Sequence, residues 1–479
     1  MAMQRREFLS RIAAGAICAS GSLIYRTMPT IAELGQPAAG SKPNIVIIVA
    51  DDLGWNDAGY HGSEIVTPHI DGLARDGIEL NRFYSCPLCS PTRAGLMTGR
   101  YPIRFGMQRT VVRPWEKLGM PPEEELLPEM LARAGYERRG VFGKWHLGHS
   151  ARKYHPLNQG FTHFYGHYNG FVDYFSHVRD GELDWHRGYA ASHDEGYATD
   201  LVADEAARFI QECADGKPFF LYVPFLAPHA PNQAPQLYLE RYAHLDQPRL
   251  KHAAMITCMD DAVGRILQAI EDKGIAEETL VLFFSDNGGQ VGAGASNDPL
   301  RGQKGRVSEG GIRVPAAIRW PSRLKGGRRM DAVTGYIDVF PTLARIAGVD
   351  EDTVKPVDGL DMLDVLRGEA PAPERELYFY LGSDKQEQLA VITPEWKLIR
   401  LGPTILRASY KDEAVVSLYR IGEDPNETTG LAADHPEVVG GLLGWLRRFR
   451  SLRPAQGVTP SVVPPKGWKP PKNWEIPGS

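Results

Sequence analysis

The sequence predicts an α/β protein: a large, mixed and mostly parallel sheet flanked by helices, followed by a smaller C-terminal antiparallel sheet with one helix. Three observations carry this. Residues 43–50 (PNIVIIVA) and 279–285 (TLVLFFS) are unbroken apolar runs rich in β-branched and aromatic side chains, the pattern of strands covered on both faces. Each run ends in acids and amides, Asp51-Asp52-Leu53-Gly54 after the first and Asp286-Asn287-Gly288-Gly289 after the second. Such strand ends are where open α/β sheets bind ligands. From about residue 370 the chain changes to short strand-like segments separated by turns.

Length and charge bound the rest. A chain of 479 residues, 43% hydrophobic and 24% charged, fits one large α/β domain plus a smaller one. The expected division is 1–40 signal and spacer, 41–368 catalytic domain, 369–452 C-terminal α+β subdomain and 453–479 proline-rich tail. A formal net charge of -5, with no long basic stripe, gives no footprint for nucleic acid. The five cysteines (18, 86, 89, 213 and 258) have neither zinc-site nor disulfide-framework spacing. At the amino terminus, Arg5-Arg6-Glu7-Phe8-Leu9 precedes an apolar run over 12–24, the pattern of a twin-arginine export signal. Ile17 before Cys18 is bulky for a lipoprotein cleavage site. This predicts a bacterial periplasmic or secreted protein that passes through the twin-arginine machinery, with cleavage between residues 19 and 42.

Taken in order, 67–77 reads as a turn entering a helix, and 140–142 as a short strand before Gly143-Lys144-Trp145-His146-Leu147-Gly148. In extended backbone, Lys144 and His146 point to one face and aim two donors at one anion. Residues 154–177 are crowded with histidine, tyrosine and phenylalanine without period, and read either as a pocket-forming sugar platform or as aromatic core beneath loops. Residues 199–213 and 251–271 have helical apolar spacing. The strand 219–225 leads to Ala227-Pro228-His229-Ala230-Pro231, which fixes His229 between two prolines. A glycine-rich loop, 300–305, carries Lys304, and 316–320 is a further strand. Four short strands (376–381, 388–393, 396–401, 417–420) and a helix over 436–450 make the C-terminal unit. The tail after 453 reads as extended and irregular.

The densest chemistry lies in Pro87-Leu88-Cys89-Ser90-Pro91-Thr92-Arg93-Ala94-Gly95-Leu96-Met97-Thr98-Gly99-Arg100. Two prolines make the Cys89 segment an extended turn, with a helix starting at 94–97, so Cys89 sits near a helix N-terminus that favours anions. Arg93 adds a planar cation suited to sulfate, phosphate or carboxylate. A buried thiol beside a surface arginine is the plainer alternative. Cys86 and Cys89 also read as C-x-x-C, a redox pair ranked below the anion site. The two acidic strand ends offer Asp51, Asp52, Asp286 and Asn287, an all-oxygen set that suits Ca²⁺ or Mg²⁺ rather than zinc.

The Cys89 segment resembles the signature of the type I, formylglycine-dependent sulfatases: Cys or Ser, any residue, Pro, Ser or Thr, Arg, two residues, two apolar residues, Thr-Gly. Gly143–Gly148 is similar to their second signature, and the Asp-Asp-Leu-Gly, Pro-His-x-Pro, Asp-Asn-Gly and Gly-x-Lys-Gly segments follow in family order over roughly 43–320. An Asp424-Pro425-Asn426-Glu427 turn is also family-like. The resemblance implies an alkaline-phosphatase-like fold and a sulfuric ester hydrolase. It implies that Cys89 is oxidised before folding to Cα-formylglycine by a formylglycine-generating enzyme, and that its hydrate attacks sulfur to give a covalent sulfoenzyme. It implies one Ca²⁺ on Asp51, Asp52, Asp286 and Asn287, with the residue at 89 completing the contact. Arg93 and Lys144 would steady the hydrated aldehyde, Lys144, His229 and Lys304 would bind sulfate, His229 or Lys304 would protonate the leaving alcohol, and His146 would assist sulfate release. One departure is the longer Arg138-Arg139-Gly140-Val141-Phe142 segment before Gly143, which leaves the local register open. Residues 55–63 (WNDAGYHGS) and 101–108 (YPIRFGMQ) look most like the arylsulfatase B, N-acetylgalactosamine-4-sulfatase group, which makes a sulfated sugar the expected substrate. The rivals are a phosphate or phosphonate ester hydrolase of the related fold, and a non-catalytic sulfated-glycan binder with Cys89 unmodified.

Overall fold

The computed structural model describes residues 42–108, 110–383, 385–407, 414–454 and 463–476. The twin-arginine motif, Cys18 and the spacer lie outside the described residues, as does part of the proline-rich tail.

Among the described residues the main sheet has ten strands. Its middle is the parallel set Thr279–Ser285, Asn44–Ala50, Phe219–Pro224, Arg138–Lys144 and His163–His167. Ala316–Arg319 pairs antiparallel on the outer side of Thr279–Ser285, and Ile78–Leu80 and Arg328–Met330 extend that edge. At the other edge, His186–Arg187 and Ala190–Ala191 run antiparallel.

The central run is continuous in the sequence because both faces are covered. Ile45, Ile47 and Val49 belong to one apolar core, whereas Val46, Ile48 and Ala50 belong to the other. All six are almost completely buried. Each of the five valine and isoleucine side chains among them contributes about 1.5–3 kcal/mol relative to exposure, so the strand is anchored independently from above and below. Leu127–Arg133 and Val339–Ile346 cover the first face with the helix Cys89–Thr98. Pro68–Asp76, Ala198–Glu212 and Arg249–Asp272 cover the second. Pro68 occupies the first turn of its helix, where a missing N–H costs nothing. The Asp260 carboxylate accepts the N–H groups of His69 (3.1 Å) and Ile70 (2.8 Å) there.

The smaller sheet is antiparallel, in order Leu377–Gly382, Glu387–Ile392, Lys397–Gly402 and Val415–Tyr419, and the helix Pro436–Ser451 contributes to the same apolar core.

Several expectations are corrected. Residues 154–177 are not wholly irregular: His163–His167 is a strand of the main sheet, in parallel register with Gly140–Lys144. That pairing gives the longer segment its register, with Arg138 and Arg139 opening the strand rather than forming a loop. The rings of His155, His167, Tyr168, Tyr174 and His177 are buried, as aromatic core. The described part of the tail keeps the expected irregular and largely exposed course, but one turn, Lys472–Trp474, anchors it. Trp474 is buried, and its indole N–H donates to the Arg179 carbonyl at 3.0 Å.

Candidate active site

Four neighbouring parallel strands end on one edge of the sheet, and their ends deliver most of the predicted residues. Asp51 and Asp52 follow Asn44–Ala50, Asp286 and Asn287 follow Thr279–Ser285, and His229 lies just beyond Phe219–Pro224. Lys144 is the last residue of Arg138–Lys144. Asp52 turns sharply, with φ 69°. Its N–H points at Asp286 Oδ1 (3.3 Å), so the two acidic corners interlock. The close approach behind them needs a glycine: a Cβ on Gly288 would lie 1.9 Å from the Gly310 carbonyl oxygen.

Cys89 arrives from the other side. The helix begins at Cys89 itself, not at 94–97, with Leu88 as its extended N-cap. Pro91 fits because it falls in the first turn, where its absent N–H has no intrahelical partner to lose. Cys89 through Thr98 are all buried. The helix is pinned at its start, where Thr92 Oγ1 donates to the Asp286 carbonyl at 2.6 Å. Cys89 Sγ, carboxylate oxygens of Asp51 and Asp52 and a ring nitrogen of His229 lie within 4.8 Å of one another. The structure thus brings the thiol, both carboxylates and the histidine to one point.

The cations frame this point. Lys144 Nζ donates to Asp51 Oδ2, and Lys304 Nζ to Asp52 Oδ2 at 2.7 Å. Arg93 is completely buried: Nε and Nη2 donate to Asp286 Oδ2 (3.0 and 2.8 Å), and Nη1 to the Lys144 carbonyl (2.9 Å). It therefore braces Asp286 and the Lys144 backbone. His229 Nδ1 donates to the Ala230 carbonyl (2.6 Å), which turns Nε2 towards Asp52 at 3.8 Å. His146 is not in extended backbone. It lies past the strand end with φ 55°, and its Nε2 sits 3.0 Å from the Val112 carbonyl. Lys144 and His146 are thus set by two different backbone conformations rather than by strand alternation.

Burial and charge set the protonation states. Burial pushes the Cys89 thiol up to about 11, against the pull of Lys144 and Lys304. The encoded cysteine is therefore a neutral thiol. Burial, reinforced by the Lys304 charge, takes His229 down to about 3. Burial also raises Asp52, but Lys304 and His229 overcome it and hold this carboxyl well below its usual range. Asp286 moves the other way, up to about 6, through burial and the neighbouring Asp51 charge.

The donor set fits a hard divalent cation. Asp51 Oδ1 and Asn287 Oδ1 are buried oxygens without a hydrogen-bond partner among the described residues, and Asp52 and Asp286 complete an all-oxygen corner. An unpaired buried carboxylate oxygen is costly, and a cation is the partner that satisfies it.

Sequence reasoning missed the hydroxyls that hold these groups. Ser90 Oγ donates to the His146 carbonyl (2.9 Å) and accepts the Val112 N–H (3.0 Å). Ser285 Oγ accepts the Leu53 N–H (3.0 Å) and donates to the Asn287 carbonyl (2.8 Å). Ser285 carried a signal, as the polar end of an apolar run. Ser90 carried none, because the motif leaves its position free. The lower-ranked redox pairing finds no support: Cys86 Sγ contacts Tyr336 OH at 3.0 Å, and both Cys86 and Cys89 are free.

Residues 43–349 match the Sulfatase family model, and residues 303–440 match the model described as N-sulphoglucosamine sulphohydrolase, C-terminal. The chain is 32% identical to arylsulfatase J of Mus musculus, over 90% of this chain and 79% of that one. It is 36% identical to N-acetylgalactosamine-6-sulfatase of Mus musculus, over 74% of this chain and 72% of that one. A crystal structure of Ps i-CgsB in complex with k-i-k-neocarrahexaose superposes with a TM-score of 0.78 at 29% identity, covering 86% of this chain and 94% of that one.

Proposed function

The chain belongs to the sulfatase family, whose members hydrolyse sulfate esters, and from that premise we propose a sulfated sugar as its substrate. The observation that carries this reading is the convergence of Cys89, Asp51, Asp52 and His229 within 4.8 Å, with Lys144 and Lys304 on the carboxylates. Similarity to galactosamine sulfatases and to a protein solved with a carrahexaose supports a carbohydrate. An N-acetylgalactosamine 4-sulfate, expected from the arylsulfatase B resemblance, and a 6-sulfate are the two sugars to compare first.

In this reading Cys89 is the precursor of formylglycine, which supplies a hydrated aldehyde as nucleophile and a second hydroxyl for sulfate release. Asp51, Asp52, Asp286 and Asn287, with the residue at position 89, would hold one Ca²⁺, which would supply positive charge to offset that of the ester oxygens. The remaining work falls to the chain. Lys144 and Lys304 place two ammonium groups against the sulfate, where they gain as negative charge builds in the transition state. Lys304 Nζ is placed to hand a proton to the leaving alcohol; His229 is neutral with its proton on Nδ1, and would donate from Nε2 only once the charge of a bound sulfate protonates the ring. Arg93 keeps Asp286 and the Lys144 backbone in register. His146, tied through Nε2 to Val112, keeps a fixed ring beside the cations, suited to assist sulfate release.

None of the described helices is long and apolar enough to cross a membrane. Export through the twin-arginine route to the periplasm or beyond, and modification by a formylglycine-generating enzyme, belong to the same proposal and rest on the sequence motifs.

The test has two readouts. Mass spectrometry of the tryptic peptide over residues 83–93, from protein made in its native host, is expected to show thiol-to-aldehyde conversion at Cys89. The same preparation should turn over 4-nitrophenyl sulfate faster than 4-nitrophenyl phosphate. An unmodified thiol in active enzyme overturns the nucleophile, and a large phosphate preference overturns the substrate class.

A further inference from the structure

The Asp424-Pro425-Asn426-Glu427 turn has no part in the site described above, yet it reaches the loop that carries Lys304. Glu427 is non-glycine with φ 55° and a completely buried side chain. One of its oxygens pairs with Arg301 (2.9 Å), three residues before Lys304. The other pairs with Lys397 of the small sheet (2.8 Å), itself buried and paired with Glu309 (2.8 Å) just after the loop. The Arg301 carbonyl accepts the Gly310 N–H (2.9 Å), and Arg301 also donates to Tyr419 OH (3.3 Å). A second grip comes from Gln388 on the strand Glu387–Ile392, whose amide donates to the Gly305 carbonyl at 3.2 Å. On the opposite side, Gly305 N–H donates to the Pro87 carbonyl (2.9 Å) and Lys304 N–H to the Gly289 carbonyl (3.2 Å). The backbone on both sides of Lys304 is therefore held between the Cys89 segment and the small sheet.

We propose that Glu427 and Gln388 are positioning residues for Lys304, so that the C-terminal sheet sets how far the lysine ammonium reaches into the site. The inference rests on the reading of Lys304 as a sulfate-binding or proton-donating group. A lysine side chain is long and flexible, and its charge is useful only where its backbone is fixed. A shift of about 1 Å in such a group can cost on the order of a hundredfold in rate. Glu427 pays for an unusual backbone conformation, and its two ion pairs are what hold it there.

The experiment is a double-mutant cycle on enzyme whose Cys89 modification has been confirmed by mass spectrometry. Glu427→Gln, Gln388→Leu and Lys304→Ala are made singly, and each of the first two is combined with Lys304→Ala; kcat/KM is measured with 4-nitrophenyl sulfate. The expected result is a roughly ten- to hundredfold loss in each single variant. Adding either sheet substitution to Lys304→Ala should then cause little further loss. Losses that multiply on the Lys304→Ala background would mean a general structural role and overturn the proposal. Gln388→Leu removes a single hydrogen bond from a partly buried side chain, so it carries the test if Glu427→Gln fails to fold. Unchanged activity in Lys304→Ala sinks the reading of Lys304 itself, an outcome distinct from a failed cycle, and removes the basis of the inference.

Discussion

Ser90→Ala separates the fold of the site from its covalent chemistry. Ser90 is completely buried and joins two backbone groups, donating to the His146 carbonyl and accepting the Val112 N–H. The Val112 carbonyl in turn meets His146 Nε2 at 3.0 Å, so one hydroxyl closes a ring around the histidine. Alanine fills almost the same volume but leaves the N–H and the carbonyl unpaired in a dry interior. At about 1–1.5 kcal/mol for each lost partner, the variant should be about 2–3 kcal/mol less stable. His146 also loses its fixed orientation, and turnover should fall roughly tenfold or more. Position 90 is the unconstrained residue of the Cys-x-Pro-Thr-Arg motif, so conversion of Cys89 should be unaffected. Urea unfolding, 4-nitrophenyl sulfate turnover and mass spectrometry of the 83–93 peptide are run on the same preparation. A wild-type unfolding midpoint with full modification would refute the argument, because buried groups of this kind cannot lose a partner without cost.

Three further outcomes follow from the same geometry. Asp286→Asn removes the nearer of the two carboxylates on the buried Arg93 guanidinium, leaving Asp51 at 3.6 Å, and removes an anionic oxygen from the cation corner; it should cost about 2–4 kcal/mol in stability, and calcium bound after equilibrium dialysis should fall sharply. Gly288→Ala forces a Cβ to within 1.9 Å of the Gly310 oxygen, so it should destabilise by about 1–3 kcal/mol and lower kcat with Asn287 displaced; a fully active, wild-type-stable variant would contradict the packing. Asp260, which caps the helix Pro68–Asp76, is raised by burial from 3.8 to about 7 despite its two backbone N–H bonds. A carboxyl raised in the folded state contributes stability that is present below its unfolded value and lost as pH climbs through the folded one. Asp260→Asn should therefore gain melting temperature relative to wild type between about pH 4 and pH 7, and a difference that stays flat with pH would argue against the assignment.

The sheet was legible because its strands have unusual composition. Runs such as 43–50 and 279–285 can be strands covered on both faces and little else, and their acidic ends announce the site. Parallel order was not legible, since it depends on which distant strands become neighbours. His163–His167 was missed for the opposite reason: histidine, tyrosine and glycine carry no strand pattern, and its place comes from register with Gly140–Lys144. The start of the Cys89 helix was misjudged because proline was read as a helix breaker, whereas at the third helical position it breaks nothing. Among the site residues, charged and metal-type side chains stand out by identity. Ser90 and Gln388 bind backbone groups, and Glu427 pairs with Arg301 and Lys397, all across long stretches of sequence, and ordinary surface residues of the same types look no different until the chain is folded.

The order of strands also sets a clock. The strand that ends at Asp51 is closed by partners over Phe219–Pro224 and Thr279–Ser285, and the Cys89 helix is buried against Asp286. None of those partners exists when Cys89 leaves the ribosome. At roughly 5–20 residues per second, about 10 to 40 s pass before residue 286 has been made. During that interval the Cys89 segment has no sheet edge to bury it, and on the proposed reading of Cys89 as a formylglycine precursor a processing enzyme would meet it as an open peptide. Once Asp286 engages Arg93 the thiol is sealed, so on that reading faster elongation would shorten the period in which the precursor can be converted.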